Sequence, residues 1–415
     1  MNTEEALQSY VFRLTELKGT HQYRHLRPWS DEAAPSEGPH SFGFPHCRVD
    51  EQPLVNFCSN NYLGLAQHPH LIAASIRATQ QYGTGSGASQ LICGYYPLLR
   101  QLALAVCQWK ATEAALVFSS GYQANVSILQ ALLLPEDWVF FDRLNHASLY
   151  DGCLMSKAKL IRYPHRDMEA LAKRLAGAPS GVNKWIVTDS LFSMDGSMAD
   201  LHKLSEIAHA HGALVLVDEA HASGLYGEKR RSGLVEHFQA GQGITLQMGT
   251  FSKALGGQGA YVAGPQVLID WLINRARGFI YTTAPPPGTV AAALAAIEWV
   301  QENSDLHQRL WRNVKHLQAQ LASGHSTQRA EPNSPWASPT NSGCALPSPI
   351  IPWLCGSSEK ALEASKLLME QGFWVQAIRP PTVPPGTARL RICLSAAHSE
   401  EQISQLSDAL LSLDL

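Results

Sequence analysis

The 415-residue sequence predicts an α/β fold in which a mainly parallel sheet is covered by helices on both faces. Short, almost continuously apolar runs alternate with longer segments of helical periodicity between about residues 54 and 290. Hydrophobic residues make up 45% and charged residues 16% of the chain, which is typical of a globular protein. The chain is too long for one small core, so we expect more than one domain.

The first 290 residues divide into an N-terminal segment and a large domain. Residues 1–53 begin with an amphipathic helix, MNTEEALQSYVFRLTELKG, and continue as a loop that contains Pro, Gly and Ser. Residues 54–290 form the large domain, with strands and helices in alternation. The apolar strands are Ala114–Phe118, Trp138–Phe141, Trp185–Val187 and Leu214–Val217, and two helical patterns are Asn125–Leu134 and Leu201–His211.

Residues 291–415 predict a small C-terminal α+β domain. One long helix is predicted over residues 290–321, followed by a Ser/Pro-rich insertion at about 322–346 that we expect to be an exposed loop. A strand at Ile350–Leu354 and a helix at Glu359–Gln371 precede two further strands and a last helix.

Composition argues against several classes of partner. A net charge of −3 gives no reason to expect nucleic acid. No run of 18 apolar residues and no signal-peptide pattern is present, so we expect no membrane partner and a cytoplasmic location. The eight cysteines include no C-x-x-C pair; we expect free thiols in a reducing compartment and no metal site.

The segment ALVLVDEAHASG places polar side chains at the end of an apolar strand, where functional residues of open α/β sheets collect. The carboxylate of Asp218 could hold a positively charged ring nitrogen, and His221 could bond a ring oxygen. A helix N-cap at Asp218 is the structural alternative, and this segment alone favours it slightly.

Lys253 lies in GTFSKALGGQGAYVAG, among small residues that let a cofactor approach the backbone closely. A lysine that forms Schiff bases is activated by burial or by cationic neighbours. A surface lysine on a glycine loop is the alternative. The spacing G-x-x-x-x-G-K-[ST] is absent, so a nucleoside triphosphate loop is not indicated.

Three more strand ends carry candidate residues. In LVFSSGYQAN, the backbone N–H groups of Gly121 and Tyr122 at a helix start could bind phosphate. His146 in WVFFDRLNHASLYDG could stack on an aromatic cofactor, and Ser193 follows a further strand in DSLFSMDGSMADL. A plain strand–helix connection, a polar core histidine and a turn are the alternatives. With the acid and the lysine, the set indicates pyridoxal 5'-phosphate (PLP).

The sequence resembles the α-oxoamine synthases, a branch of the fold-type I PLP-dependent transferases, over nearly the whole chain. The resemblance is carried by FCSNNYLGLA (57–66), YGTGSGASQLICG (82–94), FSSGYQAN (118–125), LNHASLYDG (144–152), DSLFSMDGSMADL (189–201), VDEAHASGLYGEKRRSG (217–233), TFSKALGGQGAYVAG (250–264), FIYTTAPPP (279–287) and IRPPTVPPGTARLRICLSAAHS (378–399). It implies decarboxylative condensation of an amino acid with an acyl thioester, in a homodimer with active sites at the subunit interface.

The resemblance also implies catalytic roles for Lys253, His146, Asp218 and His221, and a cofactor contact for Ser193. Lys253 would bind PLP as a Schiff base and move the α proton of the substrate. Asp218 would hold the ring nitrogen, and His221 and Ser193 would approach the ring oxygen. His146 would stack on the ring and contact the substrate.

The phosphate contacts implied by the resemblance come from two subunits. Gly121, Tyr122 and Thr250 would bind the phosphate of their own subunit. Thr282 and Thr283 would reach the phosphate of the neighbouring subunit.

Three further positions match substrate contacts of the family. Arg391 would bind the amino-acid carboxylate in a bidentate fashion. Arg24 and Thr382 match other substrate-contacting positions. For Arg24, a surface charge on a mobile N-terminal segment is the alternative.

The choice of substrate depends on finer features. AIRPPTVPPGTARLR and QYRHLRP resemble most the branch that condenses L-alanine with a pimeloyl thioester, carried by CoA or acyl-carrier protein, in biotin biosynthesis. Ala88, Gln90, Leu99 and Ala103 depart from common family residues and bear on acyl-chain or carrier preference. Condensation of glycine with acetyl-CoA, a PLP aminotransferase and a catalytically silent subunit are the alternatives.

Overall fold

The structure, a computed structural model, describes residues 3–30, 44–324 and 346–413. It contains two compact units, one of Met1–Ser59 with Leu310–Leu415 and one of Asn60–Arg309. The division predicted at residues 53/54 and 290/291 stays a prediction. The predicted insertion at about 322–346 lies, for residues 325–345, outside the described residues.

Helices and strands are numbered separately in chain order. The helices are α1 (Thr3–Gly19), α2 (Pro69–Tyr82), α3 (Pro97–Lys110), α4 (Gly121–Leu132), α5 (Ala147–Ser156), α6 (Met168–Ala176), α7 (Leu201–His211), α8 (Leu234–His237), α9 (Gln266–Arg275), α10 (Arg277–Ile280), α11 (Pro287–Glu302), α12 (Asp305–Gly324), α13 (Ser358–Glu370) and α14 (Glu400–Leu411). The strands are β1 (Trp29–Ser30), β2 (His46–Val49), β3 (Gln52–Asn56), β4 (Ala114–Phe118), β5 (Trp138–Asp142), β6 (Lys159–Tyr163), β7 (Lys184–Asp189), β8 (Leu214–Asp218), β9 (Leu246–Thr250), β10 (Ala260–Gly264), β11 (Ile350–Gly356), β12 (Phe373–Trp374), β13 (Gln376–Ile378) and β14 (Ala388–Cys393).

A seven-stranded sheet organises the unit Asn60–Arg309. Its order is β4-β10-β9-β8-β7-β5-β6, and β10 runs antiparallel to both neighbours while the other pairs are parallel. The mainly parallel sheet predicted from the apolar runs is therefore confirmed. Since the parallel strands share one direction, the carboxyl ends of β4, β5, β7, β8 and β9 lie along one edge of the sheet.

The core of this unit explains why its strands read as continuous apolar runs. Phe118, Phe141, Val187, Leu216 and Met248 come from five neighbouring strands and lie in one buried cluster. Helices α4, α5 and α9 contribute to the same cluster. Fully burying each such side chain contributes about 1.5–3 kcal/mol, so the sheet forms a rigid base for the polar residues at its edge.

The predicted helix over residues 290–321 is wrong, because two helices occupy this stretch. Helix α11 ends at Glu302 and α12 begins at Asp305. Asn303 between them has an extended backbone with φ −118 and ψ 128. Asn and Ser compete with helical hydrogen bonds through their own side chains, which accounts for the break at Asn303 and Ser304.

The unit of Met1–Ser59 and Leu310–Leu415 contains two small sheets. One has the order β1-β2-β3-β12 and the other β11-β14-β13. In the second sheet, Arg391 of β14 lies opposite Pro352 and Gln376. Among the residues that the structure describes, no helix is long and apolar enough to cross a membrane.

Candidate active site

Asp218 is the last residue of β8 and is buried. Its Oδ1 accepts a hydrogen bond from the Ala220 N–H at 2.8 Å, and its Oδ2 accepts one from Asn125 Nδ2 at 2.7 Å. The next helix begins only at Leu234, so the alternative of an N-cap at Asp218 is wrong. The two N–H donors fix the orientation of the carboxyl group, which can hold a positively charged ring nitrogen.

A second buried acid lies beside Asp218. Asp189 ends β7 and is the register partner of Asp218. Its Oδ2 accepts from the His146 backbone N–H at 2.8 Å. Burial and the nearby charge of Asp218 raise the pKa of Asp189 well above its ordinary value. Asp189 and Asp218 therefore form a pair of neighbouring buried acids at this edge of the sheet; sequence reasoning missed Asp189.

His146 precedes α5, and its Nδ1 is 2.7 Å from the Ser148 hydroxyl. Burial lowers the pKa of His146 below its ordinary value of 6.5; the charge of Asp218 opposes this shift, and that of Lys253 adds to it. The ring is therefore neutral at neutral pH. A neutral, planar imidazole next to a buried carboxylate is suited to stacking on a cofactor ring.

Lys253 lies on the connection between β9 and β10 and is partly buried. Its charge lowers the pKa values of His146 and Asp189, which places it within electrostatic range of both. The connection needs glycine at Gly256, where φ is +65° and a Cβ atom would lie 2.4 Å from the Ala66 nitrogen. The lysine loop is thus packed against neighbouring backbone.

His221 and Ser193 lie on loops that follow β8 and β7. His221 is buried, and its Nδ1 is 2.7 Å from the Tyr62 hydroxyl. That hydroxyl donates to Asn60 Oδ1 at 3.1 Å, so the orientation of the imidazole is fixed from the segment before α2. Ser193 is partly buried in a turn that begins four residues beyond the end of β7. Tyr62 was not anticipated from the sequence.

The start of α4 provides backbone donors. The Ser120 side chain accepts from the Gln123 N–H. Gly121 and Tyr122 are the first residues of the helix, so their N–H groups point out of its N-terminus. A Cβ atom on Gly121 would lie 3.9 Å from the Thr250 Cβ, so the hydroxyl-bearing end of β9 adjoins this N-terminus. The N-terminus of α4 and the Thr250 hydroxyl together are suited to binding a phosphate group.

Tyr122 and Thr250 already have partners for their hydroxyl groups. The Tyr122 ring is exposed and its hydroxyl donates to Asp151 Oδ2 at 2.5 Å. The Thr250 hydroxyl contacts the Gly259 carbonyl oxygen and the Ser252 Oγ, each at 2.7 Å. Tyr122 therefore offers its backbone rather than its side chain at the helix start.

Thr282 and Thr283 lie between α10 and α11. The Thr283 carbonyl accepts from Ser119 Oγ at 3.4 Å, which brings the segment near the start of α4 in the same chain. The next residue, Ala284, donates to the Ala88 carbonyl at 3.0 Å. The predicted contact of both threonines with a second subunit stays a prediction.

The departures from the family pattern are largely interior positions. The Gln90 side chain is buried and donates to the Val117 carbonyl at 2.9 Å. Leu99 is fully buried in α3, and Ala103 is partly buried there. Gln90 therefore supports the backbone of β4 rather than offering a free polar group.

Two predicted substrate residues meet in the unit of Met1–Ser59 and Leu310–Leu415. Arg24 Nη2 donates to Thr382 Oγ1 at 3.4 Å. Both line a cavity of about 510 Å³ that also contains Arg27, Lys366 and Arg379 but no acidic side chain. Burial, and then the charge of Arg24, lower the pKa of Arg379. A cavity lined by several cations and no acid is suited to an anion.

Arg391 lies in the same unit. It is a buried residue in the middle strand of the β11-β14-β13 sheet, and its Nη1 lies 2.8 Å from Cys393 Sγ. The sheet fixes its backbone on both sides.

The family model of class I and II aminotransferases matches residues 52–410. The chain belongs to this family. An 8-amino-7-oxononanoate synthase of Geobacter sulfurreducens is 44% identical to it over 401 residues, which cover 96% of each protein.

Solved structures agree with this assignment. The fold matches a Francisella tularensis 8-amino-7-oxononanoate synthase with a TM-score of 0.71 at 27% identity, over 86% of this chain and 97% of the other. It matches serine palmitoyltransferase of S. paucimobilis, solved with PLP and myriocin, with a TM-score of 0.86 at 27% identity, over 99% and 98% of the two chains.

The edge of the sheet fits PLP. It offers a buried carboxylate for the ring nitrogen, a lysine, a neutral imidazole and a helix N-terminus for the phosphate. The predicted α-oxoamine synthase family, the fold-type I transferase fold, the PLP cofactor and the PLP-dependent acyltransferase activity are confirmed.

Proposed function

We propose that this protein condenses L-alanine with a pimeloyl thioester in biotin biosynthesis. The products are 8-amino-7-oxononanoate, CO2 and the free thiol carrier, which is CoA or acyl-carrier protein. The observation that carries the proposal is a buried Asp218 with a partly buried Lys253 and a neutral His146 within electrostatic range, in a chain whose relatives are named for this product.

The roles at the ring follow from this cluster. PLP, when bound, supplies the electron sink that stabilises negative charge at Cα of the amino acid. Asp218 would hold the ring nitrogen in its protonated form, and the neutral His146 would stack on the ring and contact the substrate. His221, oriented by Tyr62, and Ser193 contact the ring oxygen.

Lys253 has two tasks at its Nζ atom. It would hold the cofactor, and it would remove and return the proton at Cα of alanine. General base catalysis requires a group that is neutral near the working pH. Lys253 is partly buried, and the neutral state of His146 leaves that ring without a charge of its own.

The phosphate is bound by the N–H groups of Gly121 and Tyr122 and by the Thr250 hydroxyl. Thr282 and Thr283 of a second copy would complete this site, so we propose a homodimer. Large apolar side chains are exposed on the segments that flank these threonines, notably Tyr281 at 72% and Ile92 at 79%. Exposed apolar surface of this kind is typical of a subunit interface.

The substrate contacts lie in the second unit. Arg391 binds the carboxylate of L-alanine through its guanidinium. Arg24 and Thr382 contact the acyl substrate, whose distal carboxylate or carrier phosphates would be attracted by the cationic cavity. A distal carboxylate bound in this cavity would favour a pimeloyl thioester over an acetyl thioester.

We also propose a cytoplasmic location. The cysteines among the described residues are all free, including the exposed Cys93. Free and exposed thiols persist in a reducing compartment.

Replacing Lys253 by alanine tests the mechanism. The Lys253→Ala protein should bind PLP without the absorbance of a covalently attached cofactor, and it should release no CO2 from L-alanine with pimeloyl-CoA or pimeloyl-acyl-carrier protein. Lys203→Ala, on the exposed face of α7, is the matched control and should retain both signals. Native turnover in Lys253→Ala would contradict the mechanism. Turnover only with glycine and acetyl-CoA would contradict the substrate assignment.

A further inference from the structure

Asn125 connects two proposed active-site residues. Its side chain is buried in α4 at 1% exposure. Its Nδ2 lies 2.7 Å from Asp218 Oδ2 and 2.9 Å from Ser148 Oγ. Ser148 Oγ in turn lies 2.7 Å from His146 Nδ1. The carboxylate and the imidazole are therefore joined by a continuous chain of hydrogen bonds, which is buried as far as Ser148 and partly buried at His146.

The direction of each bond in this chain is fixed by the chemistry of the groups. An amide nitrogen can only donate, so the two hydrogens on Asn125 Nδ2 go to Asp218 and to Ser148. Ser148 Oγ accepts one of them and gives its own hydrogen to His146 Nδ1. A ring that accepts at Nδ1 and is neutral carries its proton on Nε2.

The side-chain oxygen of Asn125 indicates that a contribution to stability alone does not explain why asparagine occupies this position. Asn125 Oδ1 is buried and has no hydrogen-bond partner among the described residues. A buried acceptor without a partner is unfavourable, and an apolar side chain of similar size would avoid it. Such groups in native proteins call for a functional explanation.

We propose that Asn125 is a positioning residue: one of its N–H groups orients the carboxylate of Asp218, and the other, through Ser148, keeps the proton of His146 on Nε2. The inference rests on the proposed function for the roles of Asp218 and His146. Both roles depend on the orientation of these groups, and Asn125 is the side chain that links Asp218 to Ser148, the residue bonded to His146.

Several ionisable groups surround Asp218 and interact with its carboxyl group. Asp189 approaches from β7, and its nearby carboxyl competes for an ionised state. Lys253 and His146 lie at the same edge of the sheet, and His146 interacts electrostatically with Asp218 and with Lys253. Burial raises the pKa of Tyr261 in β10, and the charge of Asp218 adds to this shift. Without the Asn125 bond, the Ala220 N–H is the remaining donor to Asp218 among the described residues, and Oδ2 of the carboxylate loses its hydrogen-bond partner.

The test compares Asn125→Ala with Asn183→Ala. Asn183 Nδ2 donates to Asp137 Oδ1 at 3.0 Å at the start of β7, so the control removes the same type of bond away from the site. The first readout needs no substrate: the visible absorbance of bound PLP is titrated with pH. Asn125→Ala should shift the midpoint by about one pH unit, as expected when one hydrogen bond to a charged group is lost. Asn183→Ala should leave it unchanged.

The second readout is turnover with L-alanine and a pimeloyl thioester. Asn125→Ala should lower kcat by about tenfold or more with a smaller change in the KM for alanine, because the amide acts on protonation rather than on substrate binding. Ser148→Ala should lower kcat while keeping the native midpoint, since it breaks only the link to His146.

A native midpoint and native kcat in Asn125→Ala would overturn the proposal. If the alanine variant does not fold, Asn125→Leu fills the space and decides instead; loss of the fold in both would assign Asn125 to stability and also overturn it. Failure of the native protein to convert L-alanine and pimeloyl thioester would contradict the proposed function alone, because the absorbance titration uses PLP without substrate.

Discussion

Acidification should destabilise the unit that contains the large sheet through His307. This histidine is buried near the start of α12, and its Nε2 lies 2.6 Å from the Gly224 carbonyl oxygen, to which the neutral ring donates. Burial lowers the pKa of His307 to about 4; the hydrogen bond to Gly224 opposes this shift, and the charge of Arg231 adds to it. In the unfolded chain the same group titrates near about 6.5.

The sign and size of the effect follow from this difference. Above about pH 6.5 the ring is neutral in both states, so the full stability is present. As the pH falls toward 4, His307 binds a proton in the unfolded chain but stays neutral in the folded protein. The free energy of unfolding therefore decreases. Linkage gives a loss of about 2 kcal/mol at pH 5 and about 3 kcal/mol once the pH lies below both pKa values.

Urea unfolding at pH 7 and pH 5 measures this loss in the native protein and in His307→Gln. Glutamine keeps an N–H donor for the Gly224 carbonyl and does not titrate. Other groups contribute about equally to both proteins, so the difference between them isolates His307. We expect the native protein to lose about 2 kcal/mol more than the variant on acidification. Equal losses in the two proteins would refute the reasoning.

Three further predictions concern buried groups. Lys110 and Glu219 form an ion pair with no exposed side-chain surface; Lys110→Met should cost about 3–5 kcal/mol in urea unfolding, and Lys110→Met with Glu219→Leu should recover most of it. An unchanged midpoint in the single variant would show that the pair is dispensable. Asp218→Asn should lower kcat by about a hundredfold or more in the CO2-release assay, and a near-native rate would remove its assigned role. Gly256→Ala should lower the unfolding temperature, because the Cβ would lie 2.4 Å from the Ala66 nitrogen; a native temperature would contradict that packing.

Local patterns predicted much of the large sheet. The strand at Ala114–Phe118 and the helix at Leu201–His211 have the predicted limits, because apolar runs and helical periodicity are encoded within each segment. The strands expected to end at Phe141, Val187 and Val217 each extend to a following aspartate, since a polar residue can close a strand at the edge of the sheet. The same reasoning placed Asp218 at the end of a strand, where the structure has it.

The connections between these elements could not be predicted in this way. Asn125 meets Asp218 across 93 positions, and Tyr62 meets His221 across 159. Such contacts depend on which strands become neighbours, which no local period encodes. The break between α11 and α12 was missed because residues 301–305 contain neither Gly nor Pro to mark it.

The antiparallel strand β10 has a consequence for how Lys253 moves. Because β9 and β10 are neighbours of opposite direction, the lysine segment is closed at its base: the Phe251 N–H bonds the Gly259 carbonyl at 3.0 Å, and the Gly257 N–H bonds the Phe251 carbonyl at 2.7 Å. The Cα atom of Lys253 is then a fixed pivot. Its amine can travel only by rotation about side-chain torsions, so hydrogen–deuterium exchange at Phe251 and Gly257 should remain slow throughout the catalytic cycle.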